Sequence, residues 1–134
     1  MALDIYAEEL IRHYEHPSNK RRMKNANASM EKENVSCGDV VKAYLKIEGT
    51  KIEDASFEGN GCVISMATAS MLTDYLKGKS VDHLESMRKD DVLRIISIDP
   101  GPVRMHCATL PLRAFKEAAF EYENKPIDAV TKEL

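Results

Sequence analysis

Several features that would assign this chain to a partner or compartment are missing. No apolar run approaches the ~20 residues of a membrane span, and Met1-Ala2-Leu3-Asp4 lacks the basic-then-apolar pattern of a secretion signal. Neither charge dominates: a net charge of −3 gives no global attraction to nucleic acid. Neither nucleic acid nor a membrane is therefore an expected partner. Cysteine is scarce and odd in number, at three. Without a secretion signal, that argues against a disulfide framework and for a reducing compartment, the cytoplasm. Internal repeats and low-complexity segments are absent as well. What is present is ordinary for a folded protein, with 43% hydrophobic and 31% charged residues among 134. That length suits one domain, 1–134, able to bury a core without staples.

The three cysteines stand in small-residue settings that a core cysteine does not need: Cys37-Gly38-Asp39, Gly61-Cys62 and His106-Cys107. With Asp39 and His106 they offer three thiolates, a carboxylate and an imidazole, a set suited to zinc or to iron bound through sulfur. A site made of four cysteines is impossible, so a metal would need Asp39, His106 or an outside ligand. The intervening stretches of 24 and 44 residues match no compact zinc motif. Spacing alone leaves a shared metal site and scattered core thiols as equal readings. His13 and His16 read as a solvated helix end, and His83 carries no signal.

Periodicity predicts an α+β fold, with a small antiparallel sheet packed against helices. Leu3, Ile5, Tyr6, Leu10, Ile11 and Tyr14 recur mostly at helical spacing, and Pro17 stops that helix near His16. Residues 17–36 read as a long polar loop with a basic run, Lys20 to Lys24, solvated rather than docked. Val41, Ala43, Leu45 and Ile47 alternate with polar neighbours, giving a strand over 39–48; Gly49-Thr50 turns the chain into a second strand over 51–59. The stripe Ile64–Leu76 is a helix ended by Gly78. Short helices follow from Ser80 or Asp82 and from Lys89. Pro100-Gly101-Pro102 forms a rigid loop. Because Pro111 is harmless only in a first turn, the last helix is expected to begin near Leu110, with Cys107 in the loop before it. Met66, Met71 and Met87 fill the core, and residues 125–134 are expected to fray.

These same residues resemble the family of iron–sulfur cluster assembly scaffolds that comprises IscU, SufU and the N-terminal part of NifU. The resemblance runs from Tyr6 to about Tyr122 through His13-Tyr14-Glu15-His16-Pro17, Cys37-Gly38-Asp39, Gly59-Asn60-Gly61-Cys62 and His106-Cys107-Ala108-Thr109-Leu110. The stretch Phe57–Ala67 is similar to SufU, whereas the short gap between the last two cysteines and His106 are similar to IscU. Asp99–Arg104 echoes the Leu-Pro-Pro-Val-Lys chaperone loop of IscU but departs from it, so a dedicated Hsp70-type chaperone is not implied.

The resemblance implies a scaffold, more a non-enzymatic platform than an enzyme. It would take sulfur from a cysteine desulfurase, build a transient [2Fe–2S] cluster and pass it to recipient apoproteins, as a monomer or transient homo-oligomer. Cys107 is expected to accept sulfur, its loop being the most mobile. Cys37, Cys62 and Cys107 would hold the cluster with His106 or Asp39, and Asp39 would tune release. Zn2+ could occupy the same residues in isolated protein. The alternative is a SufU-type zinc-dependent sulfurtransferase.

Overall fold

The computed structural model describes residues 5–134; Leu3 and Asp4, expected in the first helix, lie outside the described residues. The elements in order are α1 Ile5–Glu15, β1 Ala28–Asn34, β2 Asp39–Glu48, β3 Lys51–Asn60, α2 Val63–Leu76, α3 Val81–Ser86, α4 Lys89–Ile96, α5 Met105–Tyr122 and α6 Ala129–Lys132. The strands form an antiparallel sheet in the order β1-β2-β3. α2 and α5 lie across its inner face, so the α+β expectation holds. The core sits between them: Val41, Ala43, Leu45 and Ile47 of β2 meet Leu72 of α2 and Leu112 and Phe115 of α5, all fully or almost fully buried. The outer sheet face is polar, where Tyr44 donates to Glu58 beneath the Lys42 ammonium.

Three expectations fail for physical reasons. First, 17–36 is not all loop, since β1 occupies Ala28–Asn34. Its inward positions are Ala28, Met30 and Lys32, too weakly apolar to register as alternation. Lys32 lays its stem inward and pairs with the buried Glu117 of α5 at 3.3 Å. Second, α5 begins at Met105 and contains Pro111. The missing N–H leaves the Cys107 carbonyl without its i+4 donor, a cost of about 3 kcal/mol. Burial of Leu110, Leu112 and Phe115 offsets it. Third, part of the tail expected to fray is ordered: Ala129–Lys132 form α6, Thr131 is fully buried, and Arg113 Nη1 reaches the Lys132 carbonyl at 3.4 Å.

Two ties anchor the periphery. His13 Nδ1 and the Ser18 N–H both meet Ser70 Oγ at 2.7 Å, fixing α1 and the following loop to α2. The wholly buried Lys116 donates to the Met87 carbonyl at 2.6 Å, closing the end of α3.

Candidate metal and sulfur site

One end of the sheet gathers the chemistry. Asn34 ends β1 and pairs with Asp39, the first residue of β2. Between them runs a tight turn whose last residue, Gly38, has φ +74, a conformation glycine adopts without penalty. Cys37 sits in this turn, exposed. At the same end β3 runs through Gly61 into α2, and Cys62 is the N-cap of that helix, its sulfur accepting the Ser65 N–H at 3.5 Å. Cys107 lies in the first turn of α5, fully buried.

Asp39 joins these pieces. Its carboxylate is buried, with Oδ1 accepting the Cys62 N–H at 3.0 Å and Oδ2 standing 3.7 Å from the Cys62 sulfur. Gly61 permits this approach. A Cβ there would stand 2.7 Å from Asp39 Oδ1 and 2.6 Å from Ser65 Oγ, closer than real contacts allow. Across the site Cys107 Sγ lies 3.5 Å from Cys37 Sγ. Ligand atoms of Cys37, Asp39 and Cys107 all fall within 4.8 Å of one another. Cys37, Asp39 and Cys62 line an open hollow of about 520 Å³ together with Val103 and Arg104, and Cys107 lies buried behind Cys37.

Electrostatics distinguish the thiols. Burial pushes the Cys107 thiol well above its usual range, and contact with Asp39, Cys37 and Cys62 pushes the same way. In the metal-free protein Cys107 therefore keeps its proton and donates toward Cys37. A bound cation would displace that proton.

The structure thus brings together Cys37, Asp39, Cys62 and Cys107. His106 is elsewhere. Successive helical residues point about 100° apart, so burying Cys107 turns its neighbour outward. His106 is exposed and lines a separate hollow of about 450 Å³ with Lys32, Val35, Leu110 and Arg113. The expected loop around Cys107 is also absent, because α5 starts two residues before it.

Residues 5–129 match the family described as NifU-like N terminal domain. The chain belongs to that family. It is 35% identical to the iron–sulfur cluster assembly scaffold protein IscU of Escherichia coli K12, covering 90% of this chain and 95% of that one. It is 32% identical to the zinc-dependent sulfurtransferase SufU of Bacillus subtilis 168, covering 89% and 92%. Its fold is similar to a putative iron–sulfur cluster assembly scaffold protein for the SUF system from Fervidobacterium islandicum AW-1. There the TM-score is 0.75 at 25% identity, covering 86% and 96% of the two chains.

The donor set fits a thiophilic cation. Tetrahedral zinc with sulfur at about 2.3 Å places neighbouring sulfurs roughly 3.8 Å apart, close to the Cys37–Cys107 separation. Three soft donors and one hard oxygen suit zinc and iron alike. All four were among the residues the sequence singled out, as was Gly61 beside Cys62; what the sequence did not show is that Gly61 and Ser65 support them. The signal for Ser65 was a hydrogen-bonding residue three positions after a helix-capping cysteine.

Proposed function

We propose that this protein is an iron–sulfur cluster assembly scaffold, with Cys37, Asp39, Cys62 and Cys107 as the residues that hold its cargo. The observation that carries the reading is the gathering of three thiols around the buried Asp39 carboxylate, with Cys37 and Cys62 opening on one hollow and Cys107 buried behind Cys37. A hollow with an exposed thiol at its rim can receive a partner's sulfur and surrender what it builds.

The geometry supports an order of events. Cys37 is the exposed thiol, so the outer sulfur of a cysteine desulfurase persulfide reaches it first. The Cys37 thiolate attacks that sulfur, a new S–S bond forms at Cys37, and the donor leaves as a thiolate that takes up the proton Cys37 gave up. Cys107, expected as the principal sulfur acceptor, stands 3.5 Å behind and takes the sulfur by a second exchange of the same kind, its proton passing to the Cys37 sulfur that leaves. Asp39 supplies the exchangeable oxygen ligand, since one of its oxygens is already committed to the Cys62 N–H. A [2Fe–2S] cluster would then pass to apoproteins in the cytoplasm, the working protein being a monomer or transient homo-oligomer. The described helices include none long and apolar enough to cross a membrane.

The second reading is a zinc-dependent sulfurtransferase, favoured by the Cys37–Cys107 separation of 3.5 Å, close to that of two sulfurs on one zinc. Bound zinc would act as a Lewis acid that holds the thiolates deprotonated. Anaerobic incubation with a cysteine desulfurase, cysteine and Fe2+ separates the two. Visible absorbance with stoichiometric iron and sulfide supports the scaffold, whereas sulfur uptake on retained zinc without iron supports the transferase. Asp39→Ala sharpens the contrast. A scaffold that has lost its exchangeable oxygen should keep its cluster longer in air, and a zinc shuttle should lose zinc to a chelator sooner. A cluster that decays faster in Asp39→Ala than in wild type overturns the release role.

A further inference from the structure

The turn that carries Cys37 has little to hold it. Val35 is 86% exposed and contributes no packing, and Ser36, Cys37 and Gly38 are exposed as well. Its order comes from Asn34. The Asn34 carbonyl accepts the N–H groups of Cys37 at 3.2 Å and Gly38 at 2.8 Å. Its side-chain Oδ1 accepts the Ser36 N–H at 3.1 Å, the Asx arrangement that lets a short amide imitate a backbone turn. The remaining half of the amide, Nδ2, donates to Cys37 Sγ at 3.6 Å. One side chain therefore divides its two functions, its acceptor building the turn and its donor pointing at the sulfur.

We propose that Asn34 is a positioning residue for Cys37. Its amide N–H aims the Cys37 sulfur at Cys107 and Asp39 and stays hydrogen-bonded to that sulfur when it ligates a metal. The proposal rests on the reading of Cys37 as a ligand. Cys62 owes its direction to the N-terminus of α2, and Cys107 to burial in α5; Cys37 has neither. Groups that hydrogen-bond a metal ligand fix its orientation, and their loss costs about 10–100-fold in metal affinity. Hydrogen bonds to thiolate sulfur also draw electron density away from the metal, which tunes iron–sulfur potentials. At an exposed turn the lower figure, about tenfold, is the expected one.

Asn34→Asp isolates the donor. It keeps an oxygen for the Ser36 N–H and removes the N–H aimed at sulfur. Its added negative charge attracts a cation, so weaker binding cannot be attributed to charge. In the full chain, Co2+ affinity is measured by chelator competition and the thiolate-to-cobalt absorption band is recorded. The proposal expects Asn34→Asp to bind Co2+ about tenfold more weakly, with the band moved to longer wavelength as the sulfur regains electron density. Asn34→Ala should be at least as weak, since the turn loosens too.

A metal-free measurement reads the same alignment. In a glutathione redox buffer, oxidised glutathione takes the two electrons as Cys37 and Cys107 join. Both variants should form this disulfide less favourably than wild type, as followed by mass spectrometry. If Asn34 only builds the turn, Asn34→Asp matches wild type in affinity, band position and disulfide equilibrium while Asn34→Ala alone falls; that result overturns the proposal. A wild type that binds no Co2+ overturns the metal reading instead. The alignment of Cys37 by Asn34 is then decided by the disulfide equilibrium.

Discussion

Helix α5 has a group of metal-ligating side chains at each end, and the two groups behave differently. At its N-terminus Cys107 joins Cys37 and Asp39; beyond its C-terminus Glu123 joins Asp82 and Glu85 of α3. Both groups hold three candidate ligand atoms within 4.8 Å. The N-terminal group sits among unpaired N–H groups and positive partial charge, from α5 and also from α2 through Cys62. Anionic sulfur and carboxylate are at home there. The C-terminal group faces the negative end of the dipole, where carboxylates are disfavoured. It compensates by taking up charge of its own. The Lys125 ammonium lies 3.5 Å from Glu85 and 3.4 Å from Glu123. Burial, then the contact with Glu123, raises the Glu85 carboxyl from 4.5 to about 7, and Glu123 is lowered chiefly by its hydrogen bond with Glu85. The same number of ligand atoms gives an open, cation-ready hollow at one end and a proton-sharing knot at the other.

Deleting a sulfur from the N-terminal group should have the largest effect. Cys62→Ser keeps an N-cap oxygen for the Ser65 N–H, so folding stability should stay within about 0.5 kcal/mol of wild type by urea titration. Zinc or cobalt affinity should nevertheless fall by more than about 100-fold, because a ligand is lost rather than a residue supporting one. Cys62→Ala should lose the metal and also about 1 kcal/mol of stability. Equal stability of the Ser and Ala variants would mean that the sulfur is not the cap it forms here.

A smaller effect is expected where no ligand is touched. In Gly61→Ala the new methyl would press on Asp39 Oδ1 and Ser65 Oγ, forcing the carboxylate off the Cys62 N–H. Metal affinity should fall about 10–100-fold, with roughly 1–3 kcal/mol lost from the unpaired buried groups. Unchanged affinity would show that the site does not depend on Asp39 being held where it is.

The N-terminal group was more legible in the sequence than its surroundings. Cys37, Asp39 and Cys62 stood beside glycines at the ends of β-patterned and helical stretches, and β2 and β3 were read within a residue of their ends. Local pattern suffices when burial alternates with the pleat. β1 escaped because its inward face is built from Ala28, Met30 and Lys32, which show no apolar alternation, although it pairs with β2 across a short turn. The start of α5 escaped because a proline in the second turn is unfavourable locally and tolerated only through packing that sequence does not display. That error carried Cys107 into a loop; His106 drew attention by its adjacency to Cys107, and a helix turns the two about 100° apart. Asp39 stood out in the sequence only as a neighbour of Cys37, and its hold on the Cys62 N–H depends on β2 and β3 lying side by side.

The smallest predicted effect probes the C-terminal group, through pH. Glu85 keeps its proton in the folded protein up to about pH 7, while an unfolded chain releases it near 4.5. Between those values the folded state binds more protons than the unfolded state, so stability contributed by this group falls as pH rises. Glu123 is shifted the other way and acts below pH 4.5, outside that window. Glu85→Gln imitates the protonated acid at every pH and keeps a hydrogen-bond donor for Glu123. It should leave stability near wild type at pH 5 and raise it at pH 8, by about 3 kcal/mol at most and less where Lys125 compensates the charge. Urea titrations at the two pH values measure the difference. Gains that are equal at both would mean that Glu85 is ionised throughout, and the contrast between the two ends of α5 would then lie in the ammonium of Lys125 rather than in a shared proton.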